Sequence, residues 1–108
     1  MYEYACRVTR IVDGDTVVME LDLGFHLSYS THARLAGIDA PEMNTAQGPA
    51  AKAHLTELVL NRPGLIVRTV LKHEFEKYGR VLATLFAGPV NINAKMIEDG
   101  FAVAIKET

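Results

Sequence analysis

The chain has 108 residues, 49% of them hydrophobic and 22% charged, which is enough apolar material for one domain spanning residues 1–108 and too little polarity for a disordered chain. A single cysteine, Cys6, excludes an intramolecular disulfide and a zinc site built on paired thiolates, and no apolar run is long enough to span a bilayer. The formal charge of -2 excludes a strongly basic surface, although setting aside Asp13, Asp15, Asp39 and Glu42 leaves 9 acids against 11 bases.

The opening Met1-Tyr2-Glu3-Tyr4 has no basic segment followed by an apolar one, so a cytoplasmic location is expected. Tyr4 to Ile11 favours a strand, in which Cys6 alternates with Tyr4 and Val8 as a packing residue. Val17, Met19, Leu21 and Leu23 alternate with Val18, Glu20 and Asp22, a second half-buried strand joined to the first at Asp13-Gly14-Asp15. After Gly24 a third strand is expected from about His26 to Ile38, with Ser28, Ser30, Thr31 and His32 exposed or twisted. Up, down and up again, the meander brings Asp15 and Asp39 to one edge of the sheet. Arg34 and Asp39 differ by an odd number of positions, so a flat strand would put them on opposite faces; Gly37 marks a bend that resolves this.

A loop through Met43, Asn44 and Thr45 leads to a helix beginning near Gln47-Gly48-Pro49, where proline suits the first turn, with Ala51, Leu55, Leu58 and Val59 on its buried face. Asn61-Arg62-Pro63-Gly64 ends it. Leu65 to Leu71 and Arg80 to Phe86 read as two more strands, followed by a turn at Ala87-Gly88-Pro89. The last helix runs from Asn93, its expected N-cap, to Asp99, with Met96 and Ile97 inward and Gly100 as the C′ residue, before Phe101 to Ile105 packs back. The whole is mainly β with helices (α+β): an OB-type five-stranded barrel with a helix between strands three and four and a short C-terminal helix.

Asp13-Gly14-Asp15-Thr16, the run from Arg34 to Glu42, Lys77-Tyr78-Gly79-Arg80 and the segment from Asn93 to Gly100 carry the chemistry. Carboxylates and arginines at strand ends are what holding a hard divalent cation against a phosphodiester requires. Taken singly, Asp15 and Asp39 read as turn residues, and Asp13 sets its turn by bonding the backbone. His26, His32, His54 and His73 lack close metal-ligand spacing and read as surface or structural residues.

In this order and register, the four strings resemble the staphylococcal nuclease family over nearly the whole chain, from Val8 to Ala102. The resemblance implies calcium ligation by Asp15, Asp39 and the backbone carbonyl of Ala40, where the family's prototype has threonine. It implies that Glu42 orients or deprotonates a metal-bound water, and that Arg34 and Arg80 fork onto the phosphate and stabilise the charge of the transition state. Lys77 and Tyr78 would lie along the bound nucleotide. The implied reaction is hydrolysis of DNA and RNA at the 5′ oxygen, leaving 3′-phosphate ends, by a monomer acting on single-stranded nucleic acid. Lys106 and Thr108 stand in the register of paired tyrosines beside the nucleotide pocket, which implies an altered wall and weaker nucleotide binding. The connection carrying Phe25, His26 and Ser28 is longer than in the family's prototype, and either reaches toward substrate or extends a hairpin. The alternative function is a catalytically weak or inactive barrel module that binds nucleic acid or a protein partner. Such modules lose the carboxylates or arginines, and this chain has all five of Asp15, Arg34, Asp39, Glu42 and Arg80.

Overall fold

The computed structural model describes residues 2–69 and 80–106, so Lys77, Tyr78 and Thr108, and the expected end of the fourth strand at Leu71, lie outside the described residues. Strand β1 (Tyr2–Asp13) pairs antiparallel with β2 (Thr16–Gly24), and β2 with β3 (Leu27–Leu35). On its other side β1 pairs with β5 (Leu65–Thr69), which pairs with β6 (Val81–Ala87). A parallel pairing of β3 with β6 closes these five strands into the OB-type barrel. Between them in sequence come β4 (Ile38–Asp39) and α1 (Gly48–Val59); after them come β7 (Val90–Asn91), α2 (Ile92–Glu98) and β8 (Val103–Ala104).

The period-2 pattern works as side-chain alternation demands. Ile11, Val17, Ala33 and Val81 stand opposite one another across β1, β2, β3 and β6, and all are buried. One end of the barrel is covered by α1, which buries Ala51, Leu55 and Val59, while Leu58 is only partly buried against the core. Pro49 sits in its first turn as expected. Cys6 packs half-buried against the core, and burial pushes its thiol pKa up to about 11. At pH 8 only about 10⁻³ of such a thiol is ionised, so iodoacetamide is expected to label Cys6 in the native protein far more slowly than in urea. Equal rates in the two conditions would contradict this placement.

Two expectations are corrected. The third strand does not run on to Ile38: it stops at Leu35, and the chain bends through Ala36 and Gly37 (φ +78°) into β4, which leaves the barrel and pairs with β8. This bend removes the parity conflict between Arg34 and Asp39. Secondly, the N-cap of α2 is Asn91, whose side chain accepts from Ala94 N at 3.0 Å, whereas Asn93 lies inside the helix and is buried. The turn expected at Gly88-Pro89 is present, and it leads into a short strand, β7, that pairs back on β6. Gly100 does follow α2 with φ +86°, its N–H donating to Ile97 and that of Phe101 to Met96, the paired bonds of a Schellman ending.

The long connection between the second and third strands extends a hairpin. Phe25 and His26 form its two-residue turn with φ of 54° and 61°, the left-handed pair that matches strand twist. Thr16 begins β2 and Gly24 ends it, so the tip stands roughly 26 Å along the strand from Asp15. Among the described residues no helix is long and apolar enough to cross a membrane.

Candidate active site

Asp15 sits where β1 turns into β2. The Asp13 carboxylate accepts the Asp15 N–H at 3.0 Å, the Asx-type turn expected of Asp-Gly-Asp. Gly14 lets this turn pack tightly: a Cβ there would lie 2.6 Å from Ala40 Cβ and 2.9 Å from Ala51 Cβ, so only glycine brings the turn, the end of β4 and α1 together. Asp15 is buried, and its two oxygens have separate partners. Oδ1 accepts the Thr16 hydroxyl at 3.0 Å, and Oδ2 accepts the Ala40 N–H at 2.9 Å.

Register then delivers Arg34. It stands opposite Thr16 on β3, and the Leu35 N–H donates to the Asp15 carbonyl at 2.8 Å. The guanidinium spans both carboxylates: Nη1 lies 3.7 Å from Asp15 Oδ2 and Nη2 lies 3.8 Å from Asp39 Oδ1. Its Nη1 also donates to the Leu35 carbonyl at 2.8 Å, which fixes the plane of the fork. The Asp39 side chain is 60% exposed, so of the two carboxylates it is the one open to a ligand from solvent.

Closure of β3 on β6 brings in Arg80, the residue before β6, whose Nη1 donates to the Thr16 hydroxyl at 3.2 Å. Thr16 is the member of this corner that sequence reasoning missed. It stands in the first string, but nothing local indicates that its hydroxyl joins Asp15 to an arginine 64 residues away. Burial and then the neighbouring Asp15 carboxylate hold the Asp13 carboxyl above its ordinary range.

Glu42 lies two residues beyond Ala40 with its side chain exposed. Its backbone is held firmly: the carbonyl accepts the Thr45 N–H at 2.9 Å and the Thr45 hydroxyl at 2.6 Å. Gly48 packs directly beneath, and a Cβ there would overlap the Glu42 carbonyl oxygen and lie 2.7 Å from its carbon. Because the obstacle is backbone already tied by two hydrogen bonds, Gly48→Ala is expected to cost about 2–3 kcal/mol. Urea unfolding measures this, and a loss below about 0.5 kcal/mol would contradict the packing.

Among the described residues no group of three or more His, Cys, Asp or Glu side chains is placed to hold a metal ion. The corner instead offers two carboxylates, with Asp15 retaining unused lone pairs and Asp39 facing solvent. A cation that accepts backbone and water oxygens alongside carboxylates fits this donor set, whereas a zinc site of nitrogen and sulfur ligands does not. The structure thus brings Asp15, Arg34, Asp39, Ala40 and Arg80 to one corner, with Glu42 on the adjoining loop.

The profile of the family described as Staphylococcal nuclease homologue matches residues 32–108. The chain is 39% identical over 102 residues to an uncharacterized endonuclease of Haemophilus influenzae, covering 94% of this chain and 53% of that protein. It is 32% identical to a micrococcal nuclease of Shigella flexneri, over 96% of this chain and 60% of the relative. To a thermonuclease of Staphylococcus intermedius it is 33% identical, over 90% and 57% respectively. The chain spans about half the length of the curated relatives it matches.

Proposed function

Because the chain belongs to the family of staphylococcal nuclease homologues, we propose that it is a calcium-dependent nuclease, hydrolysing the phosphodiester bond of single-stranded DNA and RNA at the 5′ oxygen to leave 3′-phosphate ends. The observation that carries this reading is Arg34 spanning Asp15 and Asp39 while Arg80 bonds Thr16 beside them. Two fixed guanidiniums next to a pair of carboxylates can grip a phosphate and hold a hard cation within the same few ångströms.

In this mechanism Asp15, Asp39 and the Ala40 carbonyl would hold calcium. When bound, the ion supplies positive charge against the phosphate oxygens. Arg34 and Arg80 donate to the non-bridging oxygens and stabilise the charge that grows as phosphorus becomes five-coordinate, Arg80 also assisting the departing 5′ oxygen. Glu42 takes or orients the proton of the attacking water; its exposure leaves it free to reach the substrate, and the fixed backbone beneath it limits where it points. Thr16 keeps Asp15 and Arg80 in one bonded unit. Lys77 and Tyr78 lie along the nucleotide in this reading, an ammonium against phosphate and a ring against sugar or base.

The test is digestion of single-stranded DNA with calcium, with EDTA, and with the Glu42→Gln and Arg80→Ala variants. Activity should vanish in EDTA and fall by about 10²-fold or more in each variant. Product ends should resist polymerase extension until treated with a phosphatase, the mark of a 3′-phosphate. A folded wild-type chain that does not cut in calcium would leave the nucleic-acid or protein-binding module instead.

A further inference from the structure

The segment carrying Asp39 is weakly self-supporting. Strand β4 has two residues, and β8, its partner, has two; Ile38 faces Ala104 and Asp39 faces Val103. A ladder of two pairs cannot hold its own register. On the Asp39 side the pair stands beside a cavity of about 270 Å³ walled by Asp39, Pro41, Phe101 and Val103, whereas Ile38 is buried in the core. The Ala40 N–H, bonded to Asp15 Oδ2 at 2.9 Å, ties the β4 side, and on the β8 side the Ile105 N–H donates to the Gly37 carbonyl at 2.9 Å.

A second tie on the β8 side comes from α1. His54 Nε2 lies 2.7 Å from Asp99 Oδ2, and the His54 ring stacks on Phe101 with centroids 4.2 Å apart and planes 19° apart. An ionised carboxylate only accepts, so Nε2 carries the proton. His54 first, and Lys95 second, hold the Asp99 carboxyl below its ordinary range. Lys95 Nζ is 3.1 Å from the other Asp99 oxygen, but it belongs to α2 itself and ties the helix end only to its own last turn. His54 therefore grips, from α1, two residues of the short run that leads into β8.

We infer that His54 is a positioning residue: by bonding Asp99 and stacking on Phe101 it anchors β8 and so holds Asp39 in register at the candidate centre. The consequence for metal binding and catalysis rests on the nuclease reading; the anchoring itself does not. Nothing in the residue pattern around His54 marks this role, since its partner is 45 positions away.

Hydrogen exchange tests the inference in the intact chain. His54→Phe keeps a ring for Phe101 and removes the polar link; His54→Gln keeps a donor for Asp99. In His54→Phe the Ile105 amide should exchange about tenfold faster, while the Leu35 amide, bonded to Asp15 within the barrel, stays within about twofold of wild type. His54→Gln should restore more than half of that protection on a logarithmic scale. In a calcium titration followed by the Asp39 amide resonance, His54→Phe should weaken the dissociation constant about fivefold, with kcat falling and KM for DNA nearly unchanged. Equal acceleration of the Ile105 and Leu35 amides, or none at either, would overturn the anchor. A wild-type chain that neither binds calcium nor cuts would refute the nuclease reading, and the exchange result would still decide the role of His54.

Discussion

Arg34→Ala is expected to reduce cleavage by at least about 10²-fold, and to make the fold more dependent on calcium than the wild type is. In the proposed mechanism the first effect follows from the loss of a fixed donor at the charge that develops on phosphate. The second follows from electrostatics: Arg34 is the cation lying between Asp15 and Asp39, with its side chain only 14% exposed. Removing it leaves a buried Asp15 beside Asp13 and Asp39 with less positive charge nearby, at a cost of about 1–3 kcal/mol. A divalent ion placed between the same carboxylates offsets that loss, so the rise in unfolding midpoint on adding calcium should be larger in Arg34→Ala than in wild type. Arg34→Lys should recover much of the stability and little of the rate, because an ammonium replaces the charge but not the two-pronged fork. Thermal unfolding with and without calcium, together with single-turnover digestion, measures both effects. A variant that cuts within about threefold of the wild-type rate would remove Arg34 from the mechanism.

Asn93→Ala is expected to be the most destabilising single substitution at a polar residue, by about 2–5 kcal/mol, a large share of the roughly 5–15 kcal/mol of a domain this size. Asn93 is 4% exposed and uses both ends of its amide. The oxygen accepts the Leu85 N–H at 3.2 Å; the nitrogen donates to the Ala36 carbonyl at 2.8 Å and the Ala83 carbonyl at 3.0 Å. One side chain thus joins α2 to β6 and to the bend between Arg34 and Asp39. Alanine leaves the buried Leu85 N–H without that partner, a stranded group costing about 1–3 kcal/mol, and takes a partner from the part-buried Ala36 carbonyl and the buried Ala83 carbonyl as well. Asn93→Asp is no remedy, since a carboxylate would face two carbonyl oxygens. Urea unfolding of Asn93→Ala decides the matter, with a loss under about 1 kcal/mol counting against the network.

Much of the barrel was legible along the chain. Alternation from Val17 to Leu21, the Asx turn at Asp13, proline in the first turn of α1 and Gly100 after α2 each report a preference satisfied within a few residues, whereas Leu23, expected on the same buried face, is exposed. The same locality explains the misplaced cap. Asn91 and Asn93 are both plausible at a helix start by residue type, and what separates them is that Asn93 meets Ala36 and Ala83 from other strands. The third strand was drawn too long for a similar reason: Ala36 and Gly37 do not forbid extension, but closure of β3 on β6 ends the ladder at Leu35 and β8 captures Ile38 and Asp39.

By itself, the sequence determined which residues prefer strand, turn and helix, which side chains face the core, and that carboxylates and arginines stand at strand ends. Those properties follow from short-range sterics and from burial of apolar side chains at a fixed period. Only the tertiary structure decided that one guanidinium spans Asp15 and Asp39, that the Thr16 hydroxyl joins Asp15 to Arg80, and that His54 on α1 grips the approach to β8. These contacts join residues up to 64 positions apart, and their energies depend on distances of a few ångströms that exist only once the barrel has closed.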